Sequence, residues 1–176
     1  MIDALKAQAP PKSVVYSFDE KAKISVKDYN GHVYTRARRV KWSCKQKVKG
    51  LLEMPAAINV HTGEKHWWFH DWKNAFVVTE CLQALLAQHP DDDVYVLVDN
   101  WRAHTGVTTQ IFAALNPRLH LIFLPTNASW MNPIERIFGK LERELLHNSN
   151  CQSVQEMITL INNYFKNEPT LPARSS

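Results

Sequence analysis

The sequence predicts an α/β domain, in which a sheet is flanked by helices, and three observations support this fold class. Extended stretches dominate the first half of the chain, whereas helices alternate with strands in the second half. The run VYVLV at residues 94–98 is apolar on both faces, which indicates a central, buried strand. Asp99 follows this run directly and therefore lies at the edge of the sheet, where open α/β sheets carry their chemistry.

Length and composition limit the classes of protein to which this chain can belong. A chain of 176 residues is most simply one domain with a sizeable core. No segment approaches the roughly 20 apolar residues of a membrane helix, and the first residues lack a secretory signal. We therefore expect a cytoplasmic protein with no membrane partner. The three widely spaced cysteines argue against a disulfide framework or a zinc site: Cys44, Cys81 and Cys151.

The first half of the chain is predicted to be mainly extended. Residues 14–18 and 22–27 are predicted to form a hairpin, and a turn at 29–31 leads to a third stretch near 32–35. Residues 50–72 are predicted to be extended as well, with a turn at Thr62 and Gly63. In the first strand, alternation places Ser17 and Asp19 on one face.

Four helices are predicted from caps and apolar periodicity. The first covers residues 74–88, and the second covers 107–115 behind a cap at Thr105, with Val107, Ile111 and Leu115 as its apolar face. A buried strand, HLIFL, follows the second helix. The third helix begins at the N-cap Asn132 with an apolar stripe that includes Ile134 and Phe138, and the fourth begins at the N-cap Ser153 within a capping box.

Three motifs in this order resemble those of the DDE transposases, in particular the IS630 branch of the IS630/Tc1/mariner superfamily. They are YSFDE at residues 16–20, VLVDNWRAH at 96–104 and LPTNASWMNPIERIFGKL at 124–141. The resemblance covers most of the chain and implies a ribonuclease H-like mixed five-stranded sheet flanked by helices. It also implies a metal-dependent endonuclease that cuts and joins transposon DNA ends.

The resemblance assigns the catalytic, metal-binding acids as Asp19, Asp99 and Glu135, which would hold two Mg²⁺ ions, with Mn²⁺ as a substitute. Two alternatives concern single residues. Strand register decides whether Asp19 or its neighbour Glu20 points into the site, and the motif favours Asp19. Glu135 also suits a capping box with Asn132, a role that involves no chemistry.

Further residues are predicted to orient the metal ligands or contact substrate: Asn100, His104 and Asn132. His66 and His70 are interpreted as structural because no third ligand has suitable spacing. The tryptophans are interpreted as packing residues more than as base-stacking ones: Trp67, Trp68, Trp72 and Trp130.

Basic residues concentrate between positions 36 and 49, where no acidic residue occurs: Arg36, Arg38, Arg39, Lys41, Lys45, Lys47 and Lys49. Such a segment suits a surface that follows a DNA backbone, with Trp42 able to stack. The alternative is a solvated hairpin edge without a specific role. Because the net charge of the whole chain is only +4, the basicity is local.

The predicted organisation is a leader or linker at residues 1–13, a ribonuclease H-like catalytic domain at 14–168 and a frayed tail at 169–176. The helix-turn-helix domain that precedes the catalytic domain in full-length transposases has no room before Asp19. Double-stranded DNA is the expected partner, as transposon ends and target. An upstream helix-turn-helix polypeptide and a homodimer are further expected options.

Two rival functions stay open at this point. One is a transposase remnant that binds DNA or regulates without catalysis. The other is a different ribonuclease H-like nuclease, which the third motif argues against.

Overall fold

A mixed five-stranded sheet forms the centre of the protein in the computed structural model, which confirms the predicted fold class. The structure describes residues 10–27, 36, 47–126 and 131–168. The strands are, in chain order, β1 (Ser13–Val26), β2 (Gly50–Asn59), β3 (Lys65–Trp67), β4 (Asp93–Val98) and β5 (Leu119–Phe123). Their order across the sheet is β3-β2-β1-β4-β5. The pairs β1/β2 and β2/β3 are antiparallel, whereas β1/β4 and β4/β5 are parallel.

Helices cover both faces of this sheet. They are α1 (Ala75–Gln88), α2 (Arg102–Thr105), α3 (Val107–Leu115), α4 (Pro133–Glu144) and α5 (Val154–Asn167), and a 3₁₀ turn, Leu146–Asn148, follows α4. Within the described residues, no helix is long and apolar enough to span a bilayer.

The predicted hairpin at residues 14–27 is wrong, because this segment forms the single strand β1. The segment between its two halves, DEK at residues 19–21, has no glycine, asparagine or proline that would favour a tight turn. A β-bulge between Lys21 and Ile24 takes up the irregularity instead, with Lys23 at φ 54°. The predicted turn at 29–31 and strand at 32–35 lie outside the described residues.

Alternation along β1 divides the core between the two faces. Tyr16 and Phe18 pack with the buried side of α1 and with Val96 of β4. On the opposite face, the apolar stripes of α4 and α5 pack against β2 and the later part of β1. The predicted apolar stripe of α4 is confirmed, and so is the predicted cap Ser153 of α5. The structure adds the cap Asn74 of α1, whose side chain accepts the Val77 backbone N–H.

The prediction for the helix at residues 107–115 was right about its position and wrong about its face. Val107, Ile111 and Leu115 are 75, 55 and 75% exposed, whereas Thr109 is buried and donates a hydrogen bond to the Ala103 carbonyl. The N-cap is Gly106, which separates α3 from the short helix α2, and not Thr105. Periodicity finds an apolar face but cannot tell whether another element covers it.

Candidate active site

The parallel pairing of β1 with β4 brings the first two predicted acids side by side. Ser17 pairs with Leu97, and two residues further along both strands the chain reaches Asp19 and Asp99. Asp19 lies within β1 and is 8% exposed, while Asp99 follows the last residue of β4 and its side chain is 34% exposed. The two carboxylates therefore come from neighbouring strands in the middle of the sheet.

The third predicted acid, Glu135, is brought to the same place by a hydrogen-bonded connection between α4 and β1. The Ser17 hydroxyl donates to Asn132 Oδ1, and it accepts the Ile134 backbone N–H at 2.9 Å. Asn132 Nδ2 donates to the Phe18 carbonyl at 3.2 Å. All these bonds are buried, so they fix the first turn of α4, which contains Glu135, beside the strand that carries Asp19.

This connection corrects the expected role of Asn132. Its side chain makes no capping bond within α4, because both of its polar groups are used to reach β1. A hydroxyl from another element caps the helix instead. Glu135 is exposed, and its backbone N–H bonds to the Asn132 carbonyl at 3.1 Å.

The pKa of the Asp19 carboxyl shows the effect of the acids gathered around it. Burial raises the pKa of its carboxyl to about 7, and the charges of Glu20, Asp99 and Glu135 act in the same direction. The Glu20 backbone N–H, which donates to Asp19 Oδ1 at 2.8 Å, partly offsets them. The protein therefore gathers negative charge around Asp19.

Glu20 faces the other side of β1, where it belongs to a chain of contacts that ends on Asp99. His104 Nε2 lies 3.0 Å from Glu20 Oε1, and His104 Nδ1 lies 2.7 Å from Asp99 Oδ1. The His104 side chain is completely buried and the Glu20 side chain is 2% exposed. The Trp101 backbone N–H also donates to Asp99 Oδ1, at 2.9 Å. Both bonds are made to one oxygen, so Oδ2 takes part in neither.

The protonation of this chain follows from its contacts. Burial disfavours a charged imidazole, but the hydrogen bonds to Asp99 and Glu20 outweigh it and raise the pKa of His104 to about 10. The hydrogen bond from His104 in turn lowers the pKa of Asp99, with smaller contributions from the Trp101 N–H and from the charge of Lys73. At neutral pH the raised pKa of His104 thus favours the imidazolium form, held between the Asp99 and Glu20 side chains.

The donor set fits divalent cations of the hard type, because the three predicted ligands are carboxylates whose mutual repulsion is felt at Asp19. Across the described ranges, however, no three His, Cys, Asp or Glu side chains are already gathered as a cage for one ion. The structure therefore brings the acids within electrostatic reach of one another without enclosing an ion. Asn100 holds the adjoining loop, since its Nδ2 donates to the Leu124 carbonyl at 2.6 Å.

Only part of the basic segment is described. Arg36 and Lys47 are exposed, and Lys49 donates to Gln152 at 2.6 Å. Four basic residues of the segment lie outside the described residues: Arg38, Arg39, Lys41 and Lys45.

The aromatic residues differ from the prediction at one position. Trp67 packs against Phe165 and donates to Asn162 at 2.7 Å, and Trp68 packs against the core, as expected. His66 Nε2 lies 3.3 Å from the Tyr16 hydroxyl, in keeping with a structural role. Trp72, however, is 63% exposed and is not a packing residue. Trp130 lies outside the described part of the chain.

Sequence reasoning missed two partners of the predicted acids. Ser17 shares a face with Asp19, and this alternation was the available signal, but nothing local showed that its hydroxyl caps a helix 117 residues away. Glu20 was weighed only as a substitute for Asp19. Its contact with His104 spans 84 residues and leaves no sequence signal.

Comparison with known proteins identifies the family of this chain. The family described as DDE superfamily endonuclease matches residues 14–158. An insertion element IS630 uncharacterized 39 kDa protein from Shigella sonnei is 24% identical over 79 residues, which are 45% of this chain and 23% of that protein.

Solved structures show the same fold. The Mos1 transposase paired-end complex with left transposon end is similar over 96% of this chain, with a TM-score of 0.65 and 16% identity. The Mos1 transposase catalytic domain with Raltegravir and Mg is similar over the same share, with a TM-score of 0.65 and 12% identity. The chain spans 52% and 78% of these two molecules, respectively. The predicted ribonuclease H-like fold and the predicted resemblance are both confirmed.

Proposed function

Since the chain belongs to the DDE superfamily endonuclease family, we propose that it is the catalytic domain of a DNA transposase. It cuts phosphodiester bonds at transposon ends and joins the freed ends to a target. The observation that carries this proposal is the buried carboxyl of Asp19, whose pKa is raised by burial and by the acids beside it. A protein tolerates such a concentration of negative charge where a cation is to be bound. We take residues 14–168 as the catalytic domain.

Asp19, Asp99 and Glu135 would hold two Mg²⁺ ions, or Mn²⁺ in their place. When bound, such ions activate the attacking water or 3′-hydroxyl and stabilise the leaving oxygen. Similar structures of the Mos1 catalytic domain contain Mg in one case and Mn in another, which supports this choice.

The surrounding residues position the acids. His104 and Glu20 hold Asp99 in one orientation through Oδ1, and the imidazolium keeps that carboxylate ionised. Ser17 and Asn132 dock the helix that carries Glu135. Asn100 ties the loop after β4 to the segment after β5. Each of these contacts is made between groups of the protein itself, so the fold positions the acids.

Double-stranded DNA is the proposed substrate, and the basic segment at residues 36–49 follows its backbone. The similarity to a complex that contains a left transposon end supports a DNA partner. A catalytic edge of carboxylates and backbone-binding residues carries little sequence information. We therefore propose that an upstream helix-turn-helix polypeptide supplies recognition of the ends, and that a homodimer brings two ends together.

The test is plasmid nicking by wild-type protein and by Asp99→Asn, with Mg²⁺, with Mn²⁺ and with EDTA. The substitution keeps the size and the acceptor for the Trp101 N–H but removes the charge, so nicking should be lost while the fold is retained. Asp71→Asn, at an exposed aspartate, is the matched control and should nick normally. Equal nicking by Asp99→Asn and wild type, or nicking that persists in EDTA, would contradict the mechanism.

A further inference from the structure

A patch of exposed aromatic side chains lies in the segment that leads into α1. Trp72 is 63% exposed and Phe76, in the first turn of the helix, is 72% exposed. Lys73 stands between them in the chain and is exposed too. The Asn74 side chain accepts the Val77 backbone N–H at 3.0 Å, so the backbone of this segment is held in place by a helix cap. We refer to Trp72, Lys73 and Phe76 as the aromatic patch.

The aromatic patch adjoins the candidate active site. The Lys73 ammonium lies over the Trp101 ring, 4.3 Å from its centroid. The backbone N–H of the same tryptophan donates to Asp99 Oδ1, and its ring packs edge-on against His104 with 5.4 Å between centroids. One tryptophan therefore separates the cation of the patch from a proposed metal ligand.

The chemistry of the patch distinguishes it from the exposed apolar face of α3. The face of α3 formed by Val107, Ile111 and Leu115 is purely aliphatic, and the helix sequence VTTQIFAAL contains no charged residue. The aromatic patch instead combines rings with a fixed ammonium group. Rings that stack on bases, together with a cation that binds phosphate, are the combination used for single-stranded nucleic acid. Paired bases inside a duplex are already stacked, so an exposed ring can stack only on a base at an end or outside the helix.

We propose that the aromatic patch binds an unpaired nucleotide that flanks the scissile phosphate. Trp72 and Phe76 provide stacking surfaces for its base, and Lys73 binds its phosphate next to Asp99. This inference rests on the proposed function, because it takes DNA as the substrate of the adjacent carboxylates. It adds a preference for a frayed or single-stranded end over a fully paired one.

The test measures affinity of the full chain for three duplexes at matched salt, in EDTA, by fluorescence anisotropy. One duplex is blunt, one has a single-stranded thymidine extension, and one has an abasic extension with the same number of phosphates. The wild type should prefer the thymidine extension over the abasic one by about 5- to 150-fold for one stacked base. Trp72→Ala or Phe76→Ala should reduce that preference, whereas Trp72→Phe should retain it.

Lys73→Gln should weaken binding to both extended duplexes and reduce the slope of log affinity against log salt by about 0.7, the value for one phosphate of a single strand. Ile111→Ala, which removes a similarly exposed apolar side chain from α3, is the matched control and should behave as wild type. Thermal melting of each variant checks the fold.

Equal affinity of the wild type for thymidine and abasic extensions would overturn the inference. So would a loss of self-association in Trp72→Ala without any change in DNA preference, since the patch would then be a protein contact. These outcomes are separable from the proposed function. Nicking that depends on Asp99 without an extension preference refutes the nucleotide site alone, and a preference without any nicking refutes the catalytic role alone.

Discussion

Replacing a proposed metal ligand should make the metal-free protein more stable. In Asp19→Asn the carboxyl that burial and neighbouring acids disfavour becomes a neutral amide of the same size. The amide oxygen can still accept the Glu20 backbone N–H that now donates to Asp19 Oδ1 at 2.8 Å. The variant should therefore lose nicking activity and gain stability toward unfolding in EDTA.

The magnitude follows from the pKa of Asp19. A rise from 3.8 to about 7 corresponds to about 4 kcal/mol between the two protonation states, at roughly 1.4 kcal/mol per pKa unit. Relaxation of the protein and entry of water around the carboxylate reduce this maximum of about 4 kcal/mol. We therefore expect Asp19→Asn to gain about 1–3 kcal/mol in the free energy of unfolding at pH 8, or roughly 2–12 °C in the melting temperature.

The raised pKa also predicts how the stability difference between Asp19→Asn and the wild type changes with pH. Because the folded-state pKa of Asp19 is raised, its favourable contribution is fully present below the unfolded value of 3.8 and is lost as the pH rises through about 7. The stability advantage of Asp19→Asn should therefore be small at pH 4, grow toward pH 7 and level off above it. Mg²⁺ at 1,000 times its Kd for the wild type should reverse the order, because the bound ion then stabilises the wild type by about 4.1 kcal/mol.

Urea denaturation at pH 4 to 9, with EDTA or with Mg²⁺, is the assay, and Asp71→Asn serves as the exposed control. A variant less stable than wild type at pH 8 in EDTA would refute the reasoning. A stability difference that does not change with pH would refute the reasoning as well. The charge of the Asp19 carboxylate would then not be what destabilises the wild type.

Three further predictions concern the supports of the site and the DNA surface. Asn132→Ala should lower the free energy of unfolding by about 2–4 kcal/mol, because two buried hydrogen-bonding groups on β1 lose their partner; unchanged urea denaturation would contradict this. His104→Ala should cost about 3–5 kcal/mol because it leaves a buried carboxylate unpaired, and adding Glu20→Gln should restore at least half of the loss in a double-mutant cycle, whereas additive losses would show that the two side chains are not coupled. In the basic segment, replacement of three residues together should flatten the slope of log DNA affinity against log salt by about two to three units, and an unchanged slope would identify a solvated edge. Those three residues are Arg38, Arg39 and Lys41.

Local patterns were sufficient for most of the fold. The apolar run of β4, the stripe of α4 and the cap at Ser153 all depend on neighbouring residues, and the structure has them where the pattern places them. The predictions that failed are those for which the local sequence does not show which other element packs against the segment. Alternation in residues 14–27 could not distinguish a hairpin from a bulged strand, since both keep the same side chains on the same face.

In the candidate site, too, some residues were predictable from local sequence and others were not. The three acids were found through their motifs, and Asp19 was preferred over Glu20 on the same ground. The structure gives both residues a place on opposite faces of β1, one beside Glu135 and one against His104. That Glu20 is a buried partner could not be predicted, because its contact depends on how the short helix α2, 84 residues away, packs against the strand.

The capping of α4 by a strand hydroxyl makes assembly of the site observable without substrate or metal. The Ile134 amide donates to Ser17 Oγ, so its proton can exchange with solvent only when the helix separates from β1. An amide within the same helix that bonds to its own backbone can exchange by local fraying instead. The ratio of the two exchange rates therefore reports how often the helix that carries Glu135 leaves the strand that carries Asp19, in a resting molecule that is doing no chemistry.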